Sequence, residues 1–369
     1  MQGYDVCIVG GGIIGCSIAY NLAKRGLRSV VIEKNALGSE STQAGAGMLG
    51  AQVEMEKPGA LFDLGILSRA LFRDLQQELK ELSGVDIELQ TSGILRLAVS
   101  EEDRRSLLDR REWQSAAGQK TEWLEDDDLR KEVGDLFGST YGALFLPKDH
   151  QIRAMAFLRA LVSAAGRLGT VFLEHTELIG FVRKGDRIVG IETNNGPFAA
   201  DAAVIAAGAW SGIVGKMAGL ELPVFPVKGQ SILADFPTPV TPFTVFTHGT
   251  YMVPKVTGHL YIGATMEMAG FDKTATLQGL NRLLSDAARI MPSVGKLGWS
   301  GNLVGLRPGS QDGLPFLGQV PGLDGLYVAS GHFRNGLLLS PITGVVMAEL
   351  ITSCTPRVDL SPFRVSRLW

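Results

Sequence analysis

The chain opens on an unbroken apolar run, Val6-Cys7-Ile8-Val9, the pattern of a strand buried on both faces of a parallel sheet. Glycines follow at once in Gly10-Gly11-Gly12-Ile13-Ile14-Gly15. Ile14, Ile18 and Leu22 then recur four residues apart with small Ala19 and Ala23 beside them, which predicts a helix packed closely on a sheet. Gly26 supplies a C-terminal stop. Ser29-Val30-Val31-Ile32-Glu33 predicts a second strand that ends on an acid.

Farther along, the pattern alternates between the two periods. A helical stretch runs from about Phe62 to Leu82, a more polar region occupies 86–147, and Glu125-Asp126-Asp127-Asp128 reads as a solvated helix start. Helical spacing returns at Met155, Leu158, Leu161, Val162 and Ala165. Strand patterns follow at Val171-Phe172-Leu173 and Ala202-Ala203-Val204-Ile205, with a hairpin around Lys184-Gly185-Asp186 between them. Residues 223–300 are rich in strand patterns and carry a helix near 276–291. Leu326-Tyr327-Val328-Ala329 and Gly331 then lead to a helix beginning near Pro341 and covering Ile342 to Ile351. The expected fold is α/β: a Rossmann-like nucleotide-binding domain from 1–85, 148–222 and 301–369, with an inserted α+β domain from 86–147 and 223–300. A mainly antiparallel sheet is expected to dominate the insert.

Length supports that division, since 369 residues exceed the roughly 250–300 that one hydrophobic core sustains. The 35 basic and 38 acidic side chains leave a net charge of −3 with no long like-charge run, which argues against a nucleic-acid partner. Cys7, Cys16 and Cys354 show no CxxC spacing, so neither a structural zinc site nor a redox pair is expected, and a reducing cytoplasm fits best. His150, His175 and His259 have no ligand spacing, and no metal is expected. Apolar runs stop short of the ~20 residues a membrane span needs, and Asp5 lies where an export signal would be cationic.

The glycine loop carries the first chemistry. Gly10-x-Gly12-x-x-Gly15 lies between a predicted strand and a predicted helix. There Gly10 makes the tight turn, Gly12 admits a pyrophosphate, and Gly15 permits helix–strand contact. Glu33, eighteen residues beyond Gly15, is placed to accept hydrogen bonds from ribose hydroxyls. These residues leave FAD and NAD equally open.

The stretch Tyr4 to Glu33, with Ser41-Thr42 and Ala46-Gly47-Met48-Leu49, resembles the FAD-dependent amine and amino-acid oxidases of the D-amino-acid oxidase and sarcosine oxidase group. Thr250-Tyr251-Met252-Val253-Pro254, Gly263-Ala264-Thr265-Met266, Gly305-Leu306-Arg307-Pro308-Gly309 and Gly331-His332-Phe333-Arg334-Asn335-Gly336-Leu337-Leu338 sharpen the resemblance toward its glycine-oxidising bacterial branch, which supplies oxidised glycine for the thiazole of thiamine. The resemblance implies FAD, an amino-acid substrate with O2, and a homotetramer. It implies hydride transfer from glycine to flavin N5 with no acid or base side chain, giving glyoxylate, ammonia and H2O2. Sarcosine or a small D-amino acid as substrate, a dehydrogenase using another acceptor, and a non-catalytic FAD-binding redox protein are the alternatives.

The same resemblance assigns Ile13 and Ile14 to the pyrophosphate, Glu33 and Lys34 to the adenosine, and Val182 to the adenine through its backbone. Ser41, Thr42, Ala46, Gly47 and Met48 would line the phosphates and the flavin, and Ala207, Gly208 and Trp210 would let the flavin pass close by. The amides from His332 through Phe333, Arg334, Asn335, Gly336, Leu337 and Leu338 would face the flavin pyrimidine. Attachment would be non-covalent, because relatives that tether flavin use a cysteine near the position of Gly305, where this chain has none. Arg307 would clamp the substrate carboxylate, since a guanidinium matches both oxygens. Tyr251 would add a hydroxyl, Arg334 would lie at the entrance, and Met266 would form an apolar wall. Gly249 stands where relatives carry histidine, and is expected to widen the pocket mouth toward bulkier or N-substituted glycines.

Overall fold

The computed structural model describes residues 3–236 and 241–369, so positions 237–240 of the expected insert lie outside the described residues. The first sheet runs in the order Phe316–Gln319, Leu326–Ser330, Gly196–Ile205, Gly3–Val9, Ser29–Ile32, Val171–Leu173. Along this path all neighbours are parallel except the first pair. Val6 lies opposite both Ala202 and Ser29, so the apolar amino-terminal run occupies the middle of the sheet. The expected hairpin forms from Leu178–Lys184 and Arg187–Thr193 and joins Gly196–Ile205 antiparallel.

The helices Ile13–Ala23, Ala60–Ser83, Ala154–Arg167 and Gly336–Ile351 pack on one face, where Ile18, Leu22, Phe72, Phe157, Leu161 and Val346 share a core. Gly336–Ile351 is apolar around its circumference, as a helix buried on all sides should be. It also starts five residues earlier than expected, and Pro341 lies inside it. The missing amide at Pro341 is offset by hydroxyls. Ser340 donates to the Leu337 carbonyl at 3.0 Å, while Ser68 donates to the Leu338 carbonyl at 2.6 Å and accepts from Ile342 N–H at 3.3 Å.

The second sheet runs in the order Trp299–Ser310, Val224–Asp235, His259–Gly263, Tyr251–Lys255, Thr244–Phe246, Ile94–Leu97, Ala143–Leu146, Glu122–Leu124. Only the contact between Thr244–Phe246 and Ile94–Leu97 is parallel. The amphipathic helix Leu277–Ile290 covers one face, burying Leu283, Ala287 and Ile290 against Ile232, Leu260 and Ile262. The expected boundary at residue 301 is corrected here. Trp299–Ser310 pairs along its length with Val224–Asp235, so the nucleotide-binding side resumes only after Ser310. A Gly-Leu-Arg-Pro-Gly segment does not look like a strand in isolation, because glycine and proline weaken the local pattern; long-range pairing makes it one.

Candidate active site

Where the two sheets meet, a cavity of about 640 Å³ is lined by residues from both. Its nucleotide end begins at the glycine loop. Gly10 has φ +114°, and a Cβ there would lie 2.4 Å from the Ala206 carbonyl oxygen; one at Gly15 would lie 2.0 Å from the Gly10 oxygen. Gly10, Gly12, Ile13 and Ile14 face the cavity, whereas Gly15 serves the close contact beneath it. Thr42 is brought in from a distant loop, and its hydroxyl accepts from the Ile13 amide at 3.1 Å. Glu33 accepts from the amides of Gly11 and Asn35, both at 2.9 Å, which fixes the carboxylate at the end of its strand. Lys34 lines the same end and pairs with Glu177 at 2.7 Å.

Farther in, the lining includes Ser41, Ala46, Gly47, Met48, Ala207, Gly208 and Trp210. The Ser41 hydroxyl donates to the Leu306 carbonyl and so ties this loop to the second sheet. His332, Phe333, Arg334, Asn335, Gly336 and Leu337 close the far side around the start of Gly336–Ile351. His332 is buried, with Nε2 and the Thr343 hydroxyl 3.0 Å apart and Nδ1 without a partner. Burial pushes its pKa down to about 3, so the ring is neutral.

At the other end, Arg307 and Tyr251 converge from neighbouring strand pairs. Arg307 donates to the Thr265 carbonyl at 3.1 Å and lies beside the Tyr251 phenol. Burial lowers its pKa from the usual arginine value, yet a guanidinium starts so high that it stays charged. Among the described residues Arg307 has no ion-pair partner. Burial likewise raises the Tyr251 pKa, so the phenol is neutral. Gly229 makes the room: a Cβ there would sit 2.3 Å from both terminal nitrogens of Arg307. Arg334 is differently engaged, in a forked pair with Glu54 (Nε–Oε2 2.8 Å, Nη2–Oε1 3.0 Å). The Glu54 charge is the main cause that raises the Arg334 pKa.

Besides Gly15, four expected site residues are not on the cavity. Val182 lies on the Leu178–Lys184 strand opposite Gly190, and Thr176, Glu177 and Leu178 stand at the nucleotide end instead. The chain crosses the cavity edge where this strand begins, four residues before Val182. Leu338 is buried among the packed helices, because the early helix start turns it inward. Met266 is 63% exposed: Thr265, its neighbour, takes the inward position, its hydroxyl accepting from the Gln230 amide at 2.9 Å. Gly249 sits in the exposed turn between Thr247 and Thr250, where a Cβ would meet only Asp286 at 3.9 Å.

Two further residues, Glu54 and Gly229, shape the substrate end. Glu54 carries no local signal, as its partner is 280 positions away. Gly229 did carry one, since a glycine inside an apolar strand often marks a close approach.

A nucleotide cradle that opens onto a chamber with a buried, unpaired guanidinium defines a dinucleotide-dependent oxidoreductase acting on a small anion. The chain belongs to the DAO family of FAD-dependent oxidoreductases, whose model matches residues 5–350. It is 40% identical over 366 residues to the glycine oxidase of Geobacillus kaustophilus (strain HTA426), covering 99% of this chain and 97% of that protein. It is 35% identical to the glycine oxidase of Bacillus subtilis (strain 168), with the same coverages. The crystal structure of the Geobacillus kaustophilus glycine oxidase superposes with a TM-score of 0.96 at 39% identity, covering 100% of this chain and 99% of that one.

The residues present fit FAD. Glycines at the turn leave space that a Cβ would fill, a carboxylate ends the second strand, and the unpartnered Nδ1 of buried His332 borders the cavity. None of the three cysteines lines it.

Proposed function

We propose that this chain is an FAD-dependent oxidase of glycine, acting also on sarcosine and small D-amino acids, with glyoxylate, ammonia and H2O2 as the products from glycine. The observation that carries the reading is Arg307, a buried guanidinium that forms no ion pair among the described residues, facing the cavity beside the Tyr251 hydroxyl. FAD, when bound, supplies the two-electron acceptor and passes the electrons to O2.

The chain's own residues do the rest. Arg307 would take both oxygens of the substrate carboxylate, and Tyr251 would donate a further hydrogen bond to it. Held at one end, a glycine has its Cα confined to one position, which converts orientation into rate. Tyr251, Ala264 and Gly305 line the chamber around that position. Neutral His332 would sit beside the flavin without adding charge. No side chain is assigned as acid or base. For the nucleotide, Glu33 would take the ribose, and the loop at Ile13 and Ile14 the pyrophosphate, through the Ile14 amide and the Thr42 hydroxyl that the Ile13 amide holds in place.

Among the described residues no helix is long and apolar enough to cross a membrane. A homotetramer in the cytoplasm completes the reading, testable by sedimentation and by cell fractionation. The decisive experiment adds glycine anaerobically to the yellow holoenzyme. Bleaching, then H2O2 on admitting O2, is the expected result; no bleaching by glycine, sarcosine or D-alanine would overturn it.

A further inference from the structure

The charges at the substrate end of the cavity are unevenly paired. Arg307 meets only a carbonyl and a phenol, whereas Arg334, which also lines the cavity, has its fork closed on Glu54. Glu54 is itself a lining residue, and its side chain is only 10% exposed. The loop that carries it is pinned independently of any ligand. The Asp149 carboxylate accepts from the amides of Gln52 and Val53, and Arg96 and Arg110 donate to the Val53 carbonyl at 2.7 and 3.0 Å. Those two arginines have Glu56 as their own partner. The cavity therefore presents one open guanidinium, enough for one carboxylate.

We infer that Glu54 sets substrate specificity by closing Arg334: it restricts the site to amino acids with a single carboxylate and excludes those bearing a second one on the nitrogen or the side chain. The inference rests on the reading that Arg307 takes the substrate carboxylate. A second carboxylate would have to desolvate beside Glu54, next to a guanidinium already neutralised, and selection against it comes from that repulsion. Without the Glu54 charge, the same fork becomes a ready bidentate site.

The test uses holoenzyme and two ethers that cannot be deaminated, methoxyacetate and oxydiacetate, shaped like sarcosine and its N-carboxymethyl counterpart. Dissociation constants come from calorimetry and from the ligand-induced change in flavin absorption. Wild type should bind oxydiacetate no better than methoxyacetate. Glu54→Gln should shift the ratio toward oxydiacetate by at least about 30-fold, the low end for a desolvated charge pair. Glu54→Asp, which keeps the charge, should stay within about 3-fold of wild type, a margin well below that effect. Adding Arg334→Gln to Glu54→Gln should abolish the gain. Wild type preferring oxydiacetate by more than about 10-fold, no shift in Glu54→Gln, or a shift that survives in the double variant would each overturn the inference. The wild-type arm decides even if Glu54→Gln fails to fold. Arg307→Ala separates the two readings: it should lose methoxyacetate, and retention would remove the carboxylate assignment itself.

Discussion

Gly229→Ala tests the substrate end with minimal disturbance elsewhere. Gly229 lies in the middle of the Val224–Asp235 strand, opposite Gly305, and its φ is not in the left-handed region, so alanine can adopt its backbone unstrained. The new methyl would stand 2.3 Å from both terminal nitrogens of Arg307 and 2.4 Å from Cζ. Ordinary contact begins near 3.4 Å, so the guanidinium must retreat by about 1 Å. It is the end of a flexible side chain and can do so while the sheet stays intact. Replacing glycine by alanine in a strand should contribute roughly 0.5–1 kcal/mol of stability, chiefly by restricting the unfolded chain. A 1 Å misplacement of a positioning group costs on the order of 100-fold in rate, or about 2.7 kcal/mol. The expected result is a variant that retains FAD, melts no lower than wild type, and shows kcat/KM for glycine reduced about 100-fold. Steady-state H2O2 production and anaerobic bleaching measure this. Unchanged kinetics in a folded, flavin-loaded variant would refute the placement of Arg307 at the substrate.

Arg307→Ala should lower kcat/KM for glycine by about 30- to 5000-fold while FAD is retained, and Arg307→Lys should recover only part of it, since an ammonium keeps the charge without the fork; stopped-flow reduction reads both. Glu33→Ala removes the acceptor held by the Gly11 and Asn35 amides and should weaken FAD by roughly 10-fold, with the ranking of amino acids unchanged, as judged by titrating apoenzyme. Lys255 is buried, donates to the Gln151 side chain at 2.7 Å and to the Ile152 carbonyl at 3.1 Å, and has its pKa pushed down to about 7. Between pH 7 and its ordinary value of 10.5 the unfolded chain binds the extra proton, so this group makes stability rise with pH across that window. Lys255→Met should flatten that rise in urea denaturation run at pH 7 and pH 9; an unaltered slope would contradict it.

The elements legible in the sequence were those whose signal is local. The amino-terminal strand, the Gly10-x-Gly12-x-x-Gly15 turn, the helix over Ile14, Ile18 and Leu22, and the acid after Ile32 all come from spacing within a few turns of chain, and spacing is set by backbone geometry. The split into a parallel and a mainly antiparallel sheet was legible for a related reason, since continuous apolar runs and alternating ones bury different faces.

What only the tertiary structure decided depends on partners far away in the chain. Trp299–Ser310 becomes a strand because Val224–Asp235 lies beside it, and that register sets the backbone of Gly229 under the head of Arg307. The helix extends through Pro341 because Ser340 takes the Leu337 carbonyl left free by the missing amide, and Ser68, some 270 positions away, bridges the next pair, the Leu338 carbonyl and the Ile342 amide. Leu178 rather than Val182 reaches the cavity, and Met266 turns to solvent while Thr265 turns in, because a shift in where a strand begins or a reversal of face is settled by packing. The pairing of Glu54 with Arg334 has the same origin. Either charge alone is compatible with an exposed loop; only the pinned Gln52–Val53 backbone and the start of the last helix bring them within 3 Å of each other. Periodicity carries information over one helix or strand, while charge pairing across a cavity is fixed by the packing of whole elements, which no local spacing encodes.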